Sequence, residues 1–145
     1  MKNNKKLVPY ISLKEEDAVS LAKYYSDAGA DELLVFGFSD SDEEHEKAIG
    51  ILREIARVVE IPIIAGDNIK RMEDVKKLLY AGASKAVLNY TKQDNIDLTE
   101  EVSKRFGKEK IAVSVDNIKI IADNKLLITD CVDEIILLNP ENEAV

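Results

Sequence analysis

Short apolar runs, each leading into a stretch with helical spacing, recur about every 25 residues along this chain. The strand-like runs fall at residues 6–12, 32–38, 61–66, 85–90, 110–116 and 134–139. Each of the first five is followed by a helix-like segment. Strand then helix, repeated with the last helix missing, predicts a parallel sheet with helices on its faces. The runs at 61–65 and 135–138 are apolar on both faces, the reading of a strand buried on both sides. Pro62 sits near a strand start, where a missing N–H is tolerated, and Pro9 interrupts the first run.

The helical stretches are predicted at about 16–28, 42–59, 72–81 and 97–106, with a less regular one at 118–132. In the second, Ser41 or Asp40 is placed to cap, and Glu43, Glu44 and Glu46 favour the positive helix end. Asp97-Leu98-Thr99-Glu100 has the spacing of a capping box. Asp123-Asn124 is a potential break in the last stretch. Ala28-Gly29-Ala30 and Ala81-Gly82-Ala83 form a repeat 53 residues apart, read either as shared turn chemistry or as duplication of a two-strand unit.

A parallel α/β sheet gathers its chemistry at the carboxyl ends of its strands. That directs attention to Ser12, Gly37, Ser39, Gly66, Asp67, Asn68, Asn89, Tyr90, Asp116, Asn117 and Asn139. Gly66-Asp67-Asn68 precedes a helix start, where a glycine and backbone N–H groups suit an anion, or where Asp67 or Asn68 merely caps the helix. An aspartate there would repel a phosphate unless its side chain turned away. Asp116 is placed for general acid or base work, or is an ordinary loop carboxylate. Asn89 and Tyr90 offer hydrogen bonds or form a turn.

Composition narrows the choice. The chain has 145 residues, enough for one domain spanning 1–145, and a formal net charge of −8, which argues against a nucleic-acid footprint. No apolar run approaches the ~20 residues of a membrane span. One cysteine, Cys131, permits no internal disulfide, and cytoplasmic residence is the expectation. The single histidine, His45, lies among acids and reads as a solvated face residue. No metal site, cofactor, Walker loop or G-x-G-x-x-G sequence is read.

Several segments resemble a known family. Residues 21–33, 61–69, 81–89 and 111–116 are similar to the cyclase subunit of imidazole glycerol phosphate synthase. Residues 42–46 and 68–82 resemble still more a degenerate cyclase-like domain, found upstream of phosphoribosyl-AMP cyclohydrolase and phosphoribosyl-ATP pyrophosphohydrolase domains. The resemblance implies an eight-stranded βα barrel that binds a ligand with two phosphates. It also implies aspartates at the ends of strands one and five and an acid at the end of strand two. Asp116 matches the strand-five acid; the other two positions carry Ser12 and Gly37. The phosphate loop would survive as Gly66 and Asn68, with Asn89 kept and the threonine beside it replaced by Tyr90.

Six strands do not close an eight-stranded barrel. The expected fold is an open, doubly wound, flavodoxin-like sheet with strand one in the middle. The alternative is a partial barrel that pairs with a second copy, a homodimer. The expected function is that of a non-catalytic, cyclase-like domain, natural or an engineered fragment, with Asp116 vestigial. The alternatives are a binder of phosphate or a phosphorylated small molecule through Gly66, Asn68 and Asn89, and residual cyclase activity.

Overall fold

The computed structural model describes residues 5–138, so the expectations for Asn139 and the polar tail after it lie outside the described residues. The chain forms two compact units. One comprises the residues up to Asn68 together with Lys77–Ser84, and the other Ile69–Lys76 together with the residues from Lys85 on.

The first unit holds β1 (Tyr10–Ser12), α1 (Ala18–Asp27), β2 (Leu33–Phe36), α2 (Asp42–Val58) and β3 (Ile63–Gly66). The strands are parallel, with Ser12 opposite Phe36 and Phe36 opposite Gly66. β2 therefore lies between β1 and β3. A flavodoxin-like sheet would put β1 in that place, so the doubly wound expectation is corrected. The chain steps the same way at each right-handed crossover instead of reversing at a switch point, which is the progression of a barrel. Both helices consequently cover one face, and α1 packs on α2. The odd-numbered residues Ile11, Leu33, Val35, Ile63 and Ala65 form the core beneath Ala22, Leu52 and Ile55. β1 is short because Pro9 has no N–H to donate, although its carbonyl accepts from Leu34 N at 3.0 Å.

Local signals explain the element ends. Ser41 Oγ accepts from Glu44 N at 3.1 Å and Glu44 Oε1 accepts from Asp40 N at 2.8 Å, a reciprocal cap on α2. Gly29 and Gly82 both have positive φ, 102° and 126°. Both sit in the same helix-ending pattern, with Ala30 N donating to Tyr25 O and Ala83 N to Leu78 O. A Cβ on Gly82 would also run into that of Ala56.

The second unit holds β4 (Lys85–Asn89), α4 (Gln93–Phe106), β5 (Ile111–Val115), α5 (Ile118–Asp123), α6 (Lys125–Cys131) and β6 (Glu134–Leu137). β5 lies between β4 and β6, all parallel. α3 (Met72–Tyr80) runs from this unit into the first. The predicted break at 123–124 separates α5 from α6, and Asn124 Nδ2 donates to Ile120 O at 2.9 Å there. α4 begins one turn earlier than predicted. Its start is fixed by Asn95, buried beside β4, so Asp97 lies inside the helix and does not cap it. β6 also departs from expectation: Ile135 and Leu137 are exposed, since no described element covers their face.

Candidate functional site

Ser12, Gly37, Ser39, Gly66, Asp67 and Asn68 all belong to the first unit. Their centre is Asp67, whose side chain is wholly shielded from solvent. Its Oδ1 accepts from Ser39 N at 2.7 Å, and its Oδ2 accepts from Ser39 Oγ at 2.8 Å. His45 Nδ1 lies 2.7 Å from the same Oδ2. An ionised carboxylate only accepts, and an imidazole Nδ1 is a donor in the tautomer that carries its proton there. A buried charge is tolerated where such charge-assisted hydrogen bonds replace water.

Gly37 makes this arrangement possible. A Cβ at that position would stand 2.9 Å from the Asp67 carboxyl carbon, so any other residue collides with the carboxylate. At the place where the resemblance expects an acid, the chain has removed the side chain, and an acid from the next strand fills the space. Asp67 thus turns away from the loop surface, the one condition under which it would not repel an anion. Asn68 is engaged similarly: its Nδ2 donates to Ser39 O at 3.1 Å. Gly66 contributes its carbonyl, which accepts from Gly37 N at 2.9 Å.

The reading of His45 as a solvated residue is overturned. It is buried, because His45, Ala48, Ile49, Leu52 and Ile55 share the inward face of α2. That spacing was present in the sequence, masked by the acids on either side. The outward neighbour Glu46 pairs with Lys77 at 2.6 Å, and this ammonium holds its carboxyl below the usual range.

Phe38, between the pinned residues Gly37 and Ser39, is the only described non-glycine residue with positive φ, 49°. That conformation costs an L-residue roughly 1–2 kcal/mol. Its ring stacks on Phe36 at 5.2 Å, and Phe36 lies 5.9 Å from Tyr10.

At the end of β1, Ser12 Oγ accepts from Lys14 N at 3.2 Å and Ser12 O accepts from Glu15 N, closing a tight turn into α1. A cavity of about 440 Å³ opens beside it, lined by Leu13, Lys14, Glu15, Ser39, Lys47 and Ile51 among others.

Asn89, Tyr90, Asp116 and Asn117 belong to the second unit. Asn89 Oδ1 accepts from Thr91 N at 3.0 Å and from Thr91 Oγ1 at 2.7 Å, while Asn89 N donates to Asn95 Oδ1 at 2.9 Å. It is the pivot of a turn. Asn95 Nδ2 also donates to Ile69 O at 2.8 Å. Tyr90 is buried with its hydroxyl 2.5 Å from Thr99 Oγ1; burial pushes the phenol upward and the Thr99 bond opposes this. Asp116 is exposed and touches Asn117 Nδ2 at 3.2 Å, and Asn117 rather than Asp116 caps α5. No group of His, Cys, Asp and Glu among the described residues is arranged to hold a metal ion. No described helix is long and apolar enough to cross a membrane.

Residues 12–135 match the family model described as histidine biosynthesis protein. The chain belongs to that family. It is 37% identical over 100 residues to the imidazole glycerol phosphate synthase subunit HisF of Exiguobacterium sibiricum, covering 69% of this chain and 40% of that protein. With the subunit of the same name from Trichormus variabilis it shares 38% over 110 residues, covering 75% and 43%. For that of Methanocaldococcus jannaschii the identity is 36% over 108 residues, covering 74% and 40%. The chain thus spans less than half the length of the curated relatives it matches. Among solved structures, the dihydropteroate synthase of Thermus thermophilus superposes with a TM-score of 0.64 at 15% identity, over 92% of this chain and 59% of that one. That likeness concerns the fold alone. The family match agrees with the stepwise strand order within each unit.

Proposed function

We propose that the chain is a non-catalytic, cyclase-like domain of the histidine-biosynthesis family, acting in the cytoplasm as a single 1–145 domain that pairs with a second copy. The observation that supports this reading is the state of Asp67. Its carboxylate is enclosed, and all three of its close donors come from the same unit. Ser12 stands where the resemblance expects the first catalytic acid, and its hydroxyl is engaged in a turn. That leaves Asp116 without the acid partner that proton transfer at two positions requires. Ammonia-dependent cyclase turnover on the bis-phosphorylated substrate of the family is the test. No turnover above the uncatalysed rate is expected, and turnover that Asp116→Asn abolishes would refute the reading.

A second reading is favoured by one feature. With the Asp67 carboxylate turned inward, the loop at 66–68 presents no negative side chain to an anion. Binding of phosphate or a phosphorylated small molecule at Gly66 and Asn68 follows from this. Inorganic phosphate titrated against amide resonances should shift Gly66 and Asn68; shifts scattered elsewhere, or none, exclude it.

A further inference from the structure

We infer that Phe38 is a stacking platform for a flat heteroaromatic ring, a site independent of both functional readings above. Two observations converge on it. The first is the backbone. A bulky L-residue avoids positive φ, yet Phe38 holds 49°. It is kept there from both sides. Gly37 N donates to Gly66 O, while Ser39 is fastened by its N and Oγ to Asp67 and by its carbonyl to Asn68. The enclosed carboxylate therefore does more than join two strands, since it fixes the segment that displays this ring.

The second observation is the ring itself. Phe38 is 51% exposed although it is one of only three phenylalanines in the chain. Its plane lies within 15° of that of Phe36, and Phe36 is buried. The stack therefore has one closed side and one side facing water. Phe36 is in turn tilted by 35° against Tyr10, which is half exposed. A near-parallel pair with an open outer face selects its next layer by shape. A flat ring continues the stack at full contact, whereas a puckered aliphatic group of similar size touches at a few atoms only. Aromatic platforms accept ring systems of this kind with little regard to their edge groups, so the class is set by planarity and not by charge.

Caffeine, which is flat, uncharged and lacks phosphate, is the probe, and cyclohexanol is the control. Titrated into the intact chain, caffeine should shift the amides of Phe38 and Ser39 and the ring resonances of Phe38, and cyclohexanol should not. Phe38→Leu keeps an apolar side chain and the backbone strain but loses the ring; affinity for caffeine should fall at least about fivefold. Phe38→Tyr should retain it. Phe38→Gly should lose binding while raising the melting temperature, because the conformation is no longer strained. Equal response to caffeine and cyclohexanol overturns the inference, as does unchanged affinity in Phe38→Leu. So does a ring that a second copy covers, seen as Phe38 amide shifts that follow protein concentration and ignore caffeine. The probe carries no phosphate, so its failure leaves the phosphate reading standing.

Discussion

The two units use the same repeat and finish their strands in opposite ways. In the first, polar groups at the carboxyl ends of β2 and β3 fold inward. Asp67 accepts from Ser39 and lies 2.7 Å from His45 Nδ1, and all three residues are buried. In the second, Asp116 and Asn117 at the end of β5 lie in solvent, and of the buried polar residues, Asn95 and Thr99 belong to the helix behind β4 and Ser114 to β5. A carboxylate at a strand end can therefore be enclosed, as Asp67 is, or left in solvent, as Asp116 is. What decides is the space offered by the neighbouring strand. Gly37 offers that space to Asp67, and no described residue encloses Asp116 in the same way.

The largest expected effect breaks the inward cluster. Asp67→Ala removes the acceptor for Ser39 N, Ser39 Oγ and His45 Nδ1 and should lower the unfolding free energy by about 3 kcal/mol in urea titration. Asp116→Ala should change it by less than about 0.5 kcal/mol, as an exposed loop substitution does. Equal costs at the two positions would erase the contrast between the units.

Next comes Tyr90→Phe, which removes the Tyr90 hydroxyl from Thr99 Oγ1, leaving the threonine hydroxyl its bond to Asn95 O at 3.3 Å, and should cost about 1 kcal/mol by the same measurement. The phenol titrates higher in the folded chain than its ordinary value of 10.0. The folded state thus holds that proton more tightly than the unfolded one. The stability involved is complete below pH 10 and is lost as pH rises beyond it towards the folded value. Stability against pH should fall less steeply in Tyr90→Phe above that point.

The smallest effect is expected at Lys85, paired with Asp133 at 2.9 Å and Glu134 at 2.7 Å. Burial depresses its ammonium, but the two carboxylates outweigh this and raise it above 10.5. The sign is the same: the contribution is present below that pH and disappears above it. The partners are partly exposed, so Lys85→Met should cost no more than about 1 kcal/mol at neutral pH. Its effect should vanish in strong alkali, where the wild-type ammonium is also lost.

Much of the architecture could be read from the residues. Gly29 and Gly82 announced two helix ends, and Asn124 announced the division of α5 from α6. The order of strands within a unit could not be read, because apolar strands such as Leu33–Phe36 suit either winding. Which neighbour each crossover reaches is settled by packing. The site was legible only as isolated positions. Ser39 and Asp67 lie 28 residues apart, and nothing in spacing joins them. Gly37 carried a clue, since a glycine where an acid is expected leaves room for another side chain. His45 carried another in its helical register with Ala48, Ile49 and Leu52, which outweighs the acids flanking it. The start of α4 was not legible, because a buried asparagine and not an apolar residue anchors it.

The void at position 37 is filled by the carboxylate of residue 67, which accepts hydrogen bonds from Ser39 there. The double-mutant cycle between Gly37→Ala and Asp67→Gly, read by urea unfolding, tests it most directly. Gly37→Ala alone should cost about 1–3 kcal/mol through crowding, and almost nothing once Asp67 is glycine. If Gly37→Ala costs the same in both backgrounds, the two residues do not share that space and the account fails.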